Sequence, residues 1–503
     1  KLLYGYSGSV FYAQKLTDSS STFTGMSTSD DLKYVGDDGQ QSLNLNISRT
    51  LYTGDLDISL ADGNDSIASA KFTNNDSVDA GAGDDTVSIM VGGGHGTPAF
   101  TSLDMAKLDG GAGTDTLSFE ESTTGGAEIN LTRGGAVNFE NLIGTSGAET
   151  VRGDSGNNVL SGKGGADTIY GGAGNDTLYA DSNNDISGGA SYANTNDTLK
   201  GEAGNDTLVA SAGDNTLDGG TGSDTITTGN GSDTVVLRAG DGGDALSDAD
   251  IITDFTDGSD VLGLDNGLLF TELTIAQGTS DYSNDTIISK GSEYLTIVKG
   301  INASSVNYLD FASMATGNQS FTGTTGDDVF IGAAGIDTVT TNTGTDVILT
   351  SSGDDVITID GAGDKTIDGG AGTDSLKINI SGVTSIDSFS SIHLDTSSGY
   401  LSFTAESGDI ISIKNVEQLY VNNLDYGDPS SSNPSGFSNI GRLFYNSSVS
   451  IDGAKVANFF SSDDAGGYNS QNLYFASALW PSSTDVIFRG TEKSENLNLT
   501  FSH

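Results

Sequence analysis

GKGGADTIYGGAGNDT, residues 162–177, sets Asp167 and Asp176 nine residues apart, each closing a glycine-rich run and each followed by Thr and an aliphatic residue. The unit recurs on both sides of this stretch. Upward and downward from it, the register positions are Glu149, Asn158, Asp167, Asp176 and Asp185. After a twelve-residue step the series resumes at Asp197, Asp206, Asn215, Asp224 and Asp233. Looser copies lie upstream, at Asp65 in DGNDSI, Asp76 in NNDSV, Asp85 in AGAGDDTVSI and Asp115 in DGGAGTDTLSF. A second series runs through Asp328, Asp337, Asp346 and Asp355, then Lys365 and Asp374. Self-similarity at a fixed period marks a solenoid, in which each unit buries its apolar side only against its neighbours. The glycines permit positive φ and a tight turn. The segment after each Asp reads as a very short strand, with Ile169, Leu178, Leu199, Leu208, Leu217, Ile226 and Val235 pointing into a narrow core. Helical periodicity is nearly absent, so the expected class is all-β.

Composition agrees with that reading. A chain of 503 residues exceeds one ordinary core, so two or more structural units are expected. Seventy-one Gly against 4 Pro describe a chain that turns often without being collagen-like or a Pro-rich linker. Sixty-nine acidic against 20 basic side chains give a net charge of −49, which opposes compaction unless something cationic neutralises it. Lys and Arg are not clustered, so nucleic acid is not an expected partner. No cysteine is present, which excludes disulfides, thiolate metal sites and a Cys nucleophile. No apolar run is long enough for a membrane helix, so no membrane span is expected. The chain starts at Lys1 without Met or a leader pattern and reads as a mature or trimmed fragment.

Seven segments follow from the pattern: an N-terminal β region at 1–60, first repeats at 61–120, an insertion at 121–143, and the main array at 144–238. A β-rich capping module at 239–322, a second array at 323–377 and an aromatic-rich β domain at 378–503 complete them. The Gly-rich VGGGHGTPAF (91–100) and the residues around Ser191–Asn194 read as loops.

Stacked turns bring equivalent Asp residues together, which is unfavourable unless a cation lies between them. Ca²⁺ suits the donors best, taking six to eight oxygens from carboxylates and from the carbonyls that Gly-rich turns expose. Zinc and copper favour His or Cys, and the chain has three scattered His, at 95, 393 and 503. The metal candidates are Asp65, Asp76, Asp85, Asp115, Asp167, Asp176, Asp185, Asp197, Asp206, Asp224, Asp233, Asp328, Asp337, Asp346, Asp355 and Asp374.

The units GGAGNDTLY (171–179), GEAGNDTLV (201–209) and GGTGSDTIT (219–227) resemble the RTX calcium-binding nonapeptide, G-G-x-G-x-D-x-U-x with U apolar. DADIITDFTDGSDVLGL (248–264) resembles the segment that commonly follows such repeats in secreted RTX proteins. The resemblance implies a parallel β-roll, two nonapeptides per coil, with Ca²⁺ between turns on each edge. Every second unit then shares an edge, pairing Asp167 with Asp185, Asp206 with Asp224, Asp328 with Asp346, and Asp337 with Asp355. Asp197, Asn215 and Asp233 line one edge, the Asn as a weaker neutral ligand. Glu149 has a longer arm, Asn158 no charge, and Lys365 the wrong charge, so sites near 149–158 and 365 are expected to be missing or weakened.

RGDSG (152–156) contains an integrin-style tripeptide and a protease-like GDSG, but it falls in repeat register, where these residues serve a turn. No H-E-x-x-H motif or other catalytic constellation is visible, and the chain is not expected to be an enzyme. The leading expectation is a secreted structural protein, extracellular or on a bacterial cell surface, assembling with copies of itself into a surface layer, filament or matrix. A calcium-stiffened adhesin is the alternative, its partner a cell-surface polysaccharide and its tip the terminal β-domain. The aromatics of that domain (Phe437, Phe444, Tyr445, Phe459, Phe460, Tyr474, Phe475, Trp480 and Phe488) read first as the core of a β-sandwich and otherwise as an exposed surface that docks another subunit or a sugar. The repeat region of a secreted polysaccharide-active or lipolytic enzyme stands third. Low hydrophobicity with high net charge predicts disorder without metal. The resemblance implies passage of the unfolded chain through a type I secretion channel and folding outside.

Overall fold

The structure is a computed structural model. It describes residues 31–422 apart from 45–54, 72–75, 91–106, 121–126, 132–135, 182–194, 385–387 and 395–397. Strand segments within 2–22 and a few short pieces beyond 424 are also described. Asp185, His95, His503, the 91–100 and 191–194 loops and most of the C-terminal aromatic cluster lie outside the described residues, as does the side chain of His393.

In the main array the segment after each described register Asp is three to six residues long and opens on a half-exposed Thr followed by a fully buried aliphatic. Thr, Ile, Val and Leu suit such a half-buried pleated surface. Each strand is too short to be stable alone, so it persists only by pairing with equivalents one coil above and below. The chain folds into two compact units, Lys1–Gly263 with Leu273–Asp310, and Leu264–Glu272 with Phe311–His503.

In the first unit successive repeats alternate between two parallel ladders. One runs through Thr86–Met90, Thr116–Glu120, Asn141–Ile143, Val159–Lys163, Thr177–Asp181, Thr207–Val209, Thr225–Thr227 and Asp250–Ile252. The other runs through Ala127–Asn130, Glu149–Arg152, Thr168–Ala173, Thr198–Ala203, Thr216–Thr221 and Thr234–Leu237. Register is strict: Leu178 faces Leu208 and Leu208 faces Ile226, while Ile169, Leu199, Leu217 and Val235 stack on the other side. All seven are 0 % exposed. Burying one such side chain contributes roughly 1.5–3 kcal/mol, and the core is a single file of them.

The coil outruns the motif. Val10–Lys15, Asp31–Val35, Leu56–Ser59 and Ser77–Asp79 pair in parallel, and so do Ser19–Thr22, Gln41–Asn44, Ser66–Lys71 and Thr86–Met90. Antiparallel strands close both ends. Leu2–Ser7 pairs back on Val10–Lys15. Glu293–Val298 adds in parallel to Asp250–Ile252 and continues antiparallel through Thr286–Lys290 to Leu273–Gln277. Such hairpins replace an open parallel edge, a template for aggregation, with a short one.

The second unit repeats the plan. One ladder runs Ser320–Thr322, Thr338–Thr341, Val356–Ile359, Ser375–Ile378 and Gln418–Val421. Its partner runs Val329–Ile331, Asp346–Leu349, Lys365–Asp368 and Ile410–Lys414, and is closed by the antiparallel strands Leu401–Ala405 and Phe389–Leu394. Phe330, Val339, Ile348, Ile357, Ile367, Leu376, Phe403 and Ile411 fill the core.

Candidate metal centre

The turns between ladders place the register carboxylates. In GGAGNDT, Gly172 and Gly174 have φ of 113° and 110°, a region open to glycine and strained for other residues. Gly171 is required for a different reason. A Cβ there would lie 2.4 Å from Asp176 Oδ2 and 2.7 Å from the carbonyl oxygen of Gly201, one coil away. At Gly201 it would meet Asp206 Oδ2 at 2.3 Å and Gly219 O at 2.4 Å. Carboxylate and carbonyl oxygens therefore converge where only glycine leaves them room.

At many acidic rungs the carboxylate divides its two oxygens. Oδ1 accepts the backbone N–H of the equivalent residue one coil earlier: Asp176 N–H to Asp206 at 2.7 Å, Asp206 N–H to Asp224 at 2.7 Å, Asp167 N–H to Asp197 at 2.7 Å. The bonds form columns along each edge. On the first ladder's edge, Asp65 donates to Asp85, Asp85 to Asp115, Asp115 to Glu140, and Asp224 to Asp250. On the other, Glu149 donates to Asp167, Asp197 to Asn215, Asn215 to Asp233 and Asp233 to Asp260. Asp76 accepts from Leu56 N–H at 2.7 Å. In the second unit Asp328 donates to Asp346, Asp337 to Asp355, and Asp355 to Asp374.

Oδ2 is the anomaly. In Asp85, Asp115, Asp167, Asp176, Asp206 and Asp374 this atom is buried without a hydrogen-bond partner. A buried polar atom left unpaired costs about 1–3 kcal/mol, more when charged. Burial is the largest cause driving these carboxyls upward in pKa, with neighbouring carboxylates adding and the backbone N–H bonds opposing. Asp167 is pushed up to about 9, Asp374 to about 8, and Asp115 and Asp176 to about 7. Asp85, Asp206, Asp233, Asp337, Asp346 and Asp355 are raised for the same leading reason. Without metal, burial drives these carboxyls toward the protonated form, because the charge cannot be solvated there.

The donor set fits a hard cation. Among the described residues no cluster of three or more His, Cys, Asp or Glu is present. Each rung instead offers one carboxylate oxygen beside main-chain carbonyls, an all-oxygen set of the kind Ca²⁺ takes in flexible geometry. Calcium held there would supply the positive charge that the Oδ2 atoms lack.

Three register positions of the first unit differ. Glu149 turns back on its own turn, accepting from the hydroxyl of Thr145 and its N–H. Asn158 accepts from Asp154 N–H at 2.8 Å and donates to Glu140 O at 3.0 Å. Asn215 donates to Gly213 O and to Asp233 Oδ1, both at 3.0 Å. Their side chains use the protein's own partners.

One expected pairing is corrected. Asp167 pairs with Asp197, thirty residues on, and not with Asp185. Asp176 likewise pairs with Asp206, thirty residues on. The pairs 206–224, 328–346 and 337–355 form as expected.

The repeat reading missed Glu140, Asp250, Asp260 and Glu417, which extend the columns without a Gly-rich turn before them. Their remaining signal is an acid two residues before an aliphatic, as in Glu140-Asn-Leu142 and Asp260-Val-Leu262. It also missed an outer column built by the preceding position. Asn157 accepts from Asn175 N–H, Asn175 from Asn205 and Asn205 from Ser223, all on the exposed side. RGDSG serves its turn: Asp154 Oδ1 accepts from Gly156 N–H, and the Arg152 guanidinium lies 3.7 Å over the Tyr170 ring.

The model of the RTX calcium-binding nonapeptide repeat matches residues 73–88, 143–178, 152–187, 193–226, 209–244 and 322–357, together less than half of the chain. No curated protein matches. Among solved structures, the extracellular lipase LipA from Serratia marcescens is similar at 16 % identity with a TM-score of 0.18, over 40 % of this chain and 45 % of that one. The match thus spans under half the lipase's length, and at that score it carries no argument. The chain therefore carries RTX calcium-binding nonapeptide repeats, and they are built into a parallel coil.

Proposed function

We propose that the chain is a secreted structural protein whose coil is closed by calcium and which then assembles with copies of itself outside the cell, as a surface layer, filament or matrix. The observation that carries this reading is the file of buried Oδ2 atoms without partners, at Asp85, Asp115, Asp167, Asp176, Asp206 and Asp374. Asp65, Asp76, Asp197, Asp224, Asp233, Asp328, Asp337, Asp346 and Asp355 occupy equivalent rungs, and carbonyls such as those of Ala180, Gly201 and Gly219 complete the oxygen set. Where calcium is scarce the charge of −49 keeps the chain open. Where it is abundant, binding free energy becomes folding free energy. The geometry favours a scaffold because function is distributed over many equivalent rungs. No helix among the described residues is long and apolar enough to cross a membrane, which says nothing of strands.

Electron microscopy of the purified chain, with chelator and with millimolar calcium, tests the reading. Ordered sheets, fibres or multimers that appear only with calcium are expected. A folded, strictly monomeric protein at high calcium would remove the assembly half of the proposal.

A further inference from the structure

One rung of the second roll breaks the rule. Where the column calls for an acid, the sequence GAGDKTI (361–367) has Lys365. Lys365 pairs in register with Asp346 of the coil before it. Its side chain is 0 % exposed, and that of Asp346 is 1 %. The ammonium lies 2.6 Å from Gly344 O, 3.2 Å from Ala362 O, 3.2 Å from Gly363 O and 3.1 Å from Asp346 Oδ2. These are turn carbonyls of two successive coils plus the register carboxylate. The oxygens are of the same kind that converge beside Gly171 and Gly201, and here they surround a positive charge already bonded to the chain.

The surrounding backbone has adjusted. Asp346 donates its N–H to the main-chain oxygen of Asp364 at 2.9 Å, where the other rungs use a carboxylate Oδ1. Gly344 N–H bonds to Ala362 O at 3.1 Å and Thr350 N–H to Asp368 O at 3.0 Å, so the turn is closed on both sides of the ammonium. An ammonium carries three donors and no acceptor, which matches three carbonyls at bonding distance. A buried charge of this kind persists only when paired and hydrogen-bonded, and this one is both.

We propose that Lys365 is a tethered cation that replaces calcium at its rung, so that the coil around 344–368 stays closed when metal is withdrawn and provides the second roll with a calcium-independent nucleus. The proposal rests on the reading that the acidic rungs are closed by calcium. It assigns the reverse behaviour to one rung on the same backbone.

Hydrogen exchange of the full chain at neutral pH, in calcium and in EDTA, tests it. In EDTA, amides of 344–350 are expected to remain protected while those of 198–208 lose protection. Lys365→Met removes the charge and leaves Asp346 uncompensated. It should speed exchange of 344–350 in EDTA on the order of a hundredfold, the loss expected on breaking a buried pair. Lys365→Asp restores the acid. It should bind more calcium than the wild type in equilibrium dialysis, and its 344–350 amides should be protected in calcium only. Loss of protection at 344–350 equal to that at 198–208 in wild-type EDTA samples would overturn this proposal alone. So would a Lys365→Met chain that exchanges like the wild type, or a Lys365→Asp chain that binds no added calcium. Full protection of every rung in EDTA would overturn the calcium reading, and this proposal with it.

Discussion

The turn that carries Asp206 and the turn that carries Lys365 are built alike and closed differently. Both follow a glycine-rich run, precede a short strand with a buried aliphatic, and lie in a parallel ladder. At Asp206 the carboxylate uses one oxygen to hold the Asp176 amide and leaves the other buried with no partner. At Lys365 three carbonyls and a carboxylate are taken up by the chain's own ammonium. Under the proposed reading a cation closes the same backbone at both of these rungs, and the residue at one position decides whether that cation is covalent or comes from solution.

The largest expected effect is chelation. In EDTA near pH 8 the acidic rungs should lose most of their β signal in circular dichroism, and calcium should restore it. Acid should restore it too. Asp167 is held up to about 9 and Asp115 and Asp176 to about 7, mainly by burial, against about 3.9 in an unfolded chain. Between those values the metal-free fold binds more protons than the unfolded chain, so its stability is fully present below about pH 4 and falls as pH rises toward 7–9. A metal-free sample that gains β structure between pH 8 and 4 fits this sign, whereas one that loses it does not.

Core substitutions should separate the two regions next. Leu199→Ala and Ile367→Ala each delete a fully buried aliphatic and should destabilise the calcium-loaded chain by about 2–5 kcal/mol in denaturant melts. In EDTA only Ile367→Ala should still show a measurable effect, since only its surroundings remain folded. Equal effects in both conditions would erase the distinction.

Asp206→Asn is expected to change sign with metal. With calcium it loses a charged ligand and should destabilise by about 1–3 kcal/mol. In EDTA it relieves a buried charge, as Asn215 already does in its column, and should leave the chain no less stable than the wild type. Smallest is Glu202→Gly. Glu202 sits at φ 73°, where a side chain is strained by about 1–2 kcal/mol, so glycine should raise the calcium-loaded midpoint modestly without altering calcium stoichiometry.

The fold was legible in the sequence because the repeat encodes it locally: glycines for the turn, an acid, Thr, and one aliphatic per strand. Leu199, Leu217 and Val235 stack where the nine-residue count puts them. What the count missed has a common cause. Ladder pairing is set by which strands stack, and strands stack across turns of any length, since lengthening a loop costs little. Asp167 therefore reaches Asp197 across an insertion, and Asp115 reaches Glu140 across twenty-five residues with no glycine turn before the acid. Lys365 was legible as a break in the acidic series through the sign of its charge. Its alternative role, filling the cradle from within, needed the positions of Gly344 O and Ala362 O, which no sequence pattern supplies. The sharing of an edge by every second unit was legible; that each acid holds the backbone amide one coil away was not, because it depends on where Oδ1 lies.

Under the proposed reading the partnerless oxygens at the acidic rungs belong to bound divalent ions. A crystal structure grown in calcium, with anomalous differences measured at a long wavelength, tests it most directly. Peaks beside Oδ2 of Asp176 and Asp206, with none at Lys365, are the predicted result. Ordered waters alone at those acidic rungs, or an ion displacing the Lys365 ammonium, would contradict it.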